Sequence, residues 1–183
     1  VSATAMTSDA LKSLVRTVPD FPEPGIQFRD ITTLIGDGEG LAASVHQLAE
    51  IARNAGATKI AGMEARGFIF GAAAAVQLGI GFVPVRKPGK LPVKTIGIDY
   101  ALEYGTDRLE MDPEGVSADD NVVIVDDLIA TGGTALATVE LLRMAGARVK
   151  SALFVVDLPD LGGAEKLRAA DVDVRALMQF DGD

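Results

Sequence analysis

The chain is predicted to fold as an α/β protein: a central, mostly parallel sheet flanked by helices, with an antiparallel flap or hood beside it. Three observations predict this. Short apolar runs alternate with segments of helical periodicity along most of the sequence. One run, Val122-Val123-Ile124-Val125, is continuously apolar and rich in β-branched residues, as a strand covered on both faces requires. Residues 91–112 instead repeat with a period of two, which marks an antiparallel excursion from the main sheet.

Taken in order, Ser8 to Val18 reads as a helix with Leu11, Leu14, Val15 and Val18 on one face. Phe21-Pro22-Glu23-Pro24-Gly25 is a stiff, non-helical entry. Gly40 to Ala55 is a helix carrying Leu41, Val45, Leu48 and Ile51. Lys59 to Met63 is a strand, and Gly67 to Leu78 is an alanine-rich helix packed closely on a sheet. Within it, Phe68 to Val76 reads as buried. Gly81 to Val85 is the next strand.

In the excursion, Ile96, Ile98, Tyr100, Leu102 and Tyr104 share one side, and Gly105-Thr106-Asp107 forms a turn before Arg108 to Met111. Glu103 lies on the opposite side, facing either solvent or a ligand. Asn121 to Asp126, Thr134 to Ala145 and Arg148 to Val156 make a βαβ unit. Ala164 to Ala170 is a short helix and Val172 to Phe180 a last strand. Ligands of such sheets sit beyond the carboxyl ends of the strands, so the loops after Met63, Val85 and Val125 are expected to gather at one site.

Composition narrows the function classes. At 183 residues the chain suits one domain over 1–183. It is 48% apolar and 23% charged, ordinary for a soluble globular protein. No apolar run approaches the roughly 20 residues needed to span a bilayer, and residues 1–7 lack the pattern of a signal peptide. Without cysteines there are no disulfides or thiolate metal sites, which fits a reducing cytoplasm. A net charge of −9 argues against nonspecific nucleic-acid binding. Arg86, Lys87, Lys90 and Lys94 nevertheless cluster, either as a local anion site or as a solvated loop. The lone His46 lies in an amphipathic helix and reads as a surface or packing residue.

The stretch from Val122 to Thr134 carries the most functional information. It reads as a buried strand ending in Asp126 and Asp127, then a loop of small and hydroxyl residues, Ala130-Thr131-Gly132-Gly133-Thr134, then a helix. Backbone N–H groups and hydroxyls at a helix start stabilise an anion such as phosphate. Paired carboxylates suit the hydroxyls of a sugar. No Lys follows the glycines, so this is not a Walker loop. A phosphate cradle beside a diol acceptor implies a ribose 5-phosphate site.

This segment resembles the ribose-phosphate signature of the type I phosphoribosyltransferases. Four further segments are similar to the adenine branch of that family: Phe21 to Ile31, Glu64-Ala65-Arg66-Gly67-Phe68, Arg86 to Pro92, and Leu102-Glu103-Tyr104-Gly105. The resemblance implies the type I phosphoribosyltransferase fold, with an N-terminal helix and base-pocket segment over 8–35 and a flap over about 91–112. It also implies the conversion of adenine and 5-phosphoribosyl 1-pyrophosphate into AMP and pyrophosphate, with Mg²⁺ held mainly by substrate oxygens and water rather than by a defined set of side chains. A homodimer is implied as well.

Residue by residue, the resemblance assigns ribose and 5′-phosphate to Asp126, Asp127, Ala130, Thr131, Gly132, Gly133 and Thr134. Pyrophosphate falls to Glu64, Ala65, Arg66 and Gly67, aided by Arg86, Lys87 and Lys90. Adenine falls to Gln27, Phe28 and Arg29, with Phe28 either an apolar wall or a core residue. Glu103 and Arg66 take the catalytic roles, Glu103 moving the proton at the imidazole edge of the base. Enzymes for 6-oxopurines commonly carry an acid where Ala130 stands, so Ala130 favours adenine. Tyr104 either packs under the flap or touches phosphate; Met63 and Met111 are apolar filler. Two alternatives stand beside this reading: a sister enzyme for hypoxanthine, guanine or xanthine, and a noncatalytic sensor that binds DNA.

Overall fold

The computed structural model describes residues 6–102 and 104–182. Helix α1 (Ser8–Ser13) is opened by Thr7, whose side chain accepts from the Ala10 N–H at 3.1 Å and so satisfies a donor that a helix start leaves free. The expected continuation to Val18 does not occur. Arg16–Pro19 is a strand, β1, paired antiparallel with β2 (Gln27–Asp30), so that Val18 lies opposite Phe28. Thr17 and Val18 are β-branched and suit that pairing. The Phe21–Gly25 segment forms the turn, where the Gly25 N–H donates to Asp20 Oδ1 at 2.8 Å. A short helix, α2 (Thr32–Gly36), follows at once and was not legible in the periodicity.

Helix α3 (Gly38–Asn54) is capped by Asp37, which accepts from the Gly40 N–H at 2.8 Å. Strand β3 (Lys59–Met63), helix α4 (Arg66–Leu78) and strand β4 (Gly81–Val85) then make the first parallel crossover. Helix α4 is one-sided rather than buried throughout: Phe70, Ala74 and Ala75 are in the core, whereas Val76 is 80% exposed. Strands β5 (Ile96–Ala101) and β6 (Thr106–Met111) form the expected antiparallel hairpin, but not with the expected Gly105-Thr106-Asp107 turn: Thr106 and Asp107 already belong to β6, where they pair with Ala101 and Tyr100. The second crossover comprises β7 (Asn121–Ile129), α5 (Gly133–Met144) and β8 (Arg148–Asp157). Helix α6 (Gly163–Arg168) and strand β9 (Asp173–Gln179) complete the fold.

The five long strands form one parallel sheet in the order β4-β3-β7-β8-β9. Its central strand shows why an unbroken apolar run was needed. Val122 and Ile124 pack with α5 and the β5–β6 hairpin, while Val123 and Val125 pack with α1, α3 and α4. Successive side chains point to opposite faces, and each face has its own core. Met63 and Met111 lie in the first of these cores.

Strand β7 runs three residues beyond Asp126, to Ile129, because β8 extends equally far and pairs with it up to Asp157. The two carboxylates therefore lie inside the strand, not at its end. No helix among the described residues is long and apolar enough to cross a membrane.

Candidate active site

The carboxyl ends of β3, β4 and β7 open on a cleft of about 280 Å³. Its walls are the turn from Met63 to Arg66, Lys87, Leu109, and the whole segment from Asp126 to Ala135. A second cleft of about 160 Å³ is lined by Phe28 to Thr32 and shares Arg66 and Asp127 with the first. The three loops expected to converge do so.

The phosphate-loop candidate lies where β7 gives way to α5. Gly132 has φ +82°, a left-handed conformation that glycine adopts without steric cost, and α5 begins at the next residue. The turn is braced from the C-terminal part of the chain. The Gly163 N–H donates to the Ala130 carbonyl at 3.0 Å, and a Cβ on Gly163 would strike that carbonyl and lie 2.8 Å from the Gly132 nitrogen. Sequence reasoning missed this brace. The only signal was the Gly162-Gly163 pair, which spacing does not connect to a loop thirty residues away.

Asp127 is 4% exposed and pairs with Arg66, whose Nε donates to its Oδ2 at 2.5 Å. Asp126 accepts from the Asp127 N–H at 2.8 Å. Burial, then the neighbouring Asp127 charge, push the Asp126 carboxyl well above the usual carboxylate range. Gly67 is required here for space, since a Cβ would come within 2.6 Å of Asp126 Oδ1. The Glu64–Ala65 peptide that precedes it is cis. Arg66 is thus tied to the neighbouring carboxylate through Nε, with its side chain still 62% exposed at the mouth.

The remaining basic residues divide. Lys87 lines the cleft; Arg86 and Lys90 do not. Arg86 donates through Nε to Glu64 Oε1 at 3.2 Å and through Nη1 to the Lys90 carbonyl at 3.2 Å. Glu64 also accepts from the Lys87 N–H at 2.7 Å, so its carboxylate ties the turn after β3 to the turn after β4. Lys90 is exposed.

On the β2 side, Phe28 is 36% exposed, lines the second cleft, and stands edge-on to Phe21 with ring centroids 5.2 Å apart, so it is a wall and not core. Gln27 lines neither cleft. Arg29 lines the second cleft, donates to Thr17 Oγ1 at 2.7 Å and the Asp181 carbonyl at 3.4 Å, and stacks over Phe180 at 4.6 Å. Asp30 and Thr32, both missed from sequence, adjoin it. The Thr32 hydroxyl, with Arg16, holds the Asp30 carboxyl down at about 2. Glu103 lies outside the described residues. Tyr104 is 88% exposed, and His46 Nδ1 sits 2.9 Å from Gln77 Nε2, away from both clefts.

Oxygen donors are well represented in the cleft: the carboxylates of Glu64, Asp126 and Asp127 and the hydroxyls of Thr131 and Thr134. Among the described residues no group of three or more His, Cys, Asp or Glu could hold a metal ion. A hard cation such as Mg²⁺ would fit such a setting only with most of its ligands supplied by substrate and water.

Residues 29–178 match the model of the phosphoribosyl transferase domain. An adenine phosphoribosyltransferase of Novosphingobium aromaticivorans is 72% identical over 177 residues, 97% of this chain and 99% of that protein. The chain belongs to the adenine phosphoribosyltransferase family. Within the family, the crystal structure from Thermoanaerobacter pseudethanolicus superposes with a TM-score of 0.89 at 45% identity, covering 95% of this chain and 100% of the other. The Giardia lamblia enzyme, complexed with 9-deazaadenine, gives 0.89 at 31% identity over 96% of this chain and 99% of that one. The sheet, the flanking helices and the antiparallel hairpins are therefore those of the family.

Two outcomes follow from the packing. A carboxyl raised in the folded state favours folding below its unfolded value and loses that contribution as pH climbs to its folded value. Asp126→Asn should therefore be more stable than the parent at neutral pH, with the gain vanishing below about pH 3.9, the ordinary aspartate value. Urea-unfolding midpoints across that range check this, and parallel profiles would contradict it. Gly163→Ala should cost about 1–3 kcal/mol of stability through overpacking against a loop backbone that cannot yield easily. An unchanged thermal midpoint would show that the brace is dispensable.

Proposed function

We propose that the protein transfers the 5-phosphoribosyl group from 5-phosphoribosyl 1-pyrophosphate to adenine, releasing AMP and pyrophosphate, as a single phosphoribosyltransferase domain. The observation that carries this reading is the pair of clefts joined at Arg66 and Asp127. One has the chemistry of a sugar phosphate and the other offers an aromatic wall, so a nucleotide laid across both has its glycosidic carbon near the junction.

In this reading the backbone N–H groups and hydroxyls of Ala130 to Thr134 hold the 5′-phosphate at the start of α5. Asp126 and Asp127 receive the ribose hydroxyls. Ala65, Arg66, Gly67 and Lys87 face the pyrophosphate, with Glu64 and Arg86 bracing that turn and Lys90 adding charge at its rim. Phe28 and Arg29 adjoin the base, and main-chain groups around Gln27 read its amino edge.

The base nitrogen bonds to C1 as the C1–O bond breaks, and pyrophosphate leaves with the electron pair. The proton at the imidazole edge passes to Glu103. Catalysis comes mainly from fixing the nitrogen in line with C1 and stabilising the departing anion. Mg²⁺, held mainly by substrate oxygens and water beside the Asp126 and Asp127 carboxylates, would supply further charge neutralisation.

The β5–β6 hairpin acts as the lid that excludes water. A cytoplasmic setting fits the absence of cysteine. A homodimer is part of the same reading. Ile69 and Val76, exposed and seven residues apart on α4, are apolar surface that a second copy would cover.

Steady-state assays with single bases test the assignment: AMP formation should exceed the rates with guanine, hypoxanthine and xanthine, and a faster guanine reaction would reject it. Glu103→Gln should reduce turnover by about 10²–10⁴, the range for general acid–base groups, while changing the affinity for the sugar substrate far less. Undiminished turnover would remove Glu103 from the chemistry.

A further inference from the structure

The β5–β6 hairpin carries a polar cluster that has no part in the reading above. Asp107, near the start of β6, accepts three hydrogen bonds. Its Oδ2 receives the Lys87 ammonium and the Tyr100 hydroxyl, the latter at 3.2 Å, and its Oδ1 receives the Arg108 N–H at 2.8 Å. The Tyr100 hydroxyl lies equally close, at 3.2 Å, to Thr134 Oγ1 at the phosphate-loop end of the cleft. Lys87 and Thr134 line the cleft; Asp107 and Tyr100 stand behind them. A chain of side chains therefore runs from the turn after β4, through the hairpin, to the start of α5.

We propose that Asp107 is the positioning residue for Lys87: it holds the ammonium over the cleft and ties it, through Tyr100, to the phosphate loop, so that the pyrophosphate of the sugar substrate meets a fixed cation. This rests on the proposed transfer reaction. A lysine on its own is a flexible point charge on a four-carbon stem, whose rotamer freedom an anion must otherwise freeze on binding. The Lys87 backbone is already held by Glu64, and Asp107 holds the other end of the side chain. The pair favours its charged form on both sides, Lys87 shifted up and Asp107 shifted down chiefly by their mutual hydrogen bond.

A carboxylate near a polyanion is by itself repulsive, and this gives the test its sign. If Asp107 contributed only its charge, removing the charge would tighten pyrophosphate binding. As a positioning residue, its removal weakens binding.

Calorimetry of the full-length protein with pyrophosphate, and separately with AMP, reads this directly. Asp107→Asn should weaken pyrophosphate about tenfold, within the range for losing one charge-assisted hydrogen bond, and leave AMP, which has no pyrophosphate group, unchanged. Asp107→Glu should restore most of the loss. In a Lys87→Met background the Asp107 effect should disappear, because the two act through one another. Tyr100→Phe, which keeps the ring but removes the hydroxyl that reaches Asp107 and Thr134, should weaken pyrophosphate less than Asp107→Asn does.

Unchanged or tightened pyrophosphate binding in Asp107→Asn, an equal loss for AMP, or a full effect persisting without Lys87 would each overturn the proposal. Parent protein that binds pyrophosphate yet makes no AMP would refute the transfer reaction instead, and the calorimetric comparison separates the two failures.

Discussion

Two adjacent carboxylates inside an apolar strand cannot both be buried as charges unless something compensates them. The carboxyl edge of this sheet is arranged around that constraint. Asp127 takes the Arg66 guanidinium as its partner, and Asp126, left without a cation, takes the Asp127 N–H and a raised affinity for its proton. Arg66 can reach because α4 starts immediately after the β3 turn, and Gly67 leaves the volume that the Asp126 carboxylate fills. The acid pair thus dictates which residues open α4, on an element sixty positions away.

A protein with a net charge of −9 must concentrate its cations to bind a polyanion. Here the concentration is local and mostly braced. Arg86 spends its guanidinium on Glu64 and the Lys90 carbonyl, holding the two turns together, while Lys87 lines the cleft. In the proposed reading, backbone donors at the start of α5 add to this without any formal charge. Such a site favours an anion of defined shape over any anion.

The hairpin and the C-terminal loop share one structural task, which is to hold the phosphate-loop candidate from two directions. Tyr100 reaches Thr134 from one side, and Gly163 presses its backbone against Ala130 and Gly132 from the other. A loop of small residues has little rigidity of its own, because glycine leaves the backbone free. Its shape is supplied by neighbours distant in sequence.

Residue order alone fixed whatever depends on neighbours a few positions apart. The strands Lys59–Met63 and Gly81–Val85, the flap hairpin and the strand-loop-helix around Asp126 to Thr134 were legible because burial on one or two faces leaves a periodic trace. The four motifs of the adenine branch likewise pointed to the family through local residue order. The remainder came from long-range packing. Val18 joined a strand in place of a helix because Phe28 lies opposite it, and β7 outran its carboxylates because β8 was long enough to pair. Arg66 turned one donor inward to Asp127, Lys87 found Asp107, and Gly163 met the phosphate loop. The last three join groups about twenty or more residues apart, and hydrogen bonds over such separations leave no period in the chain that makes them.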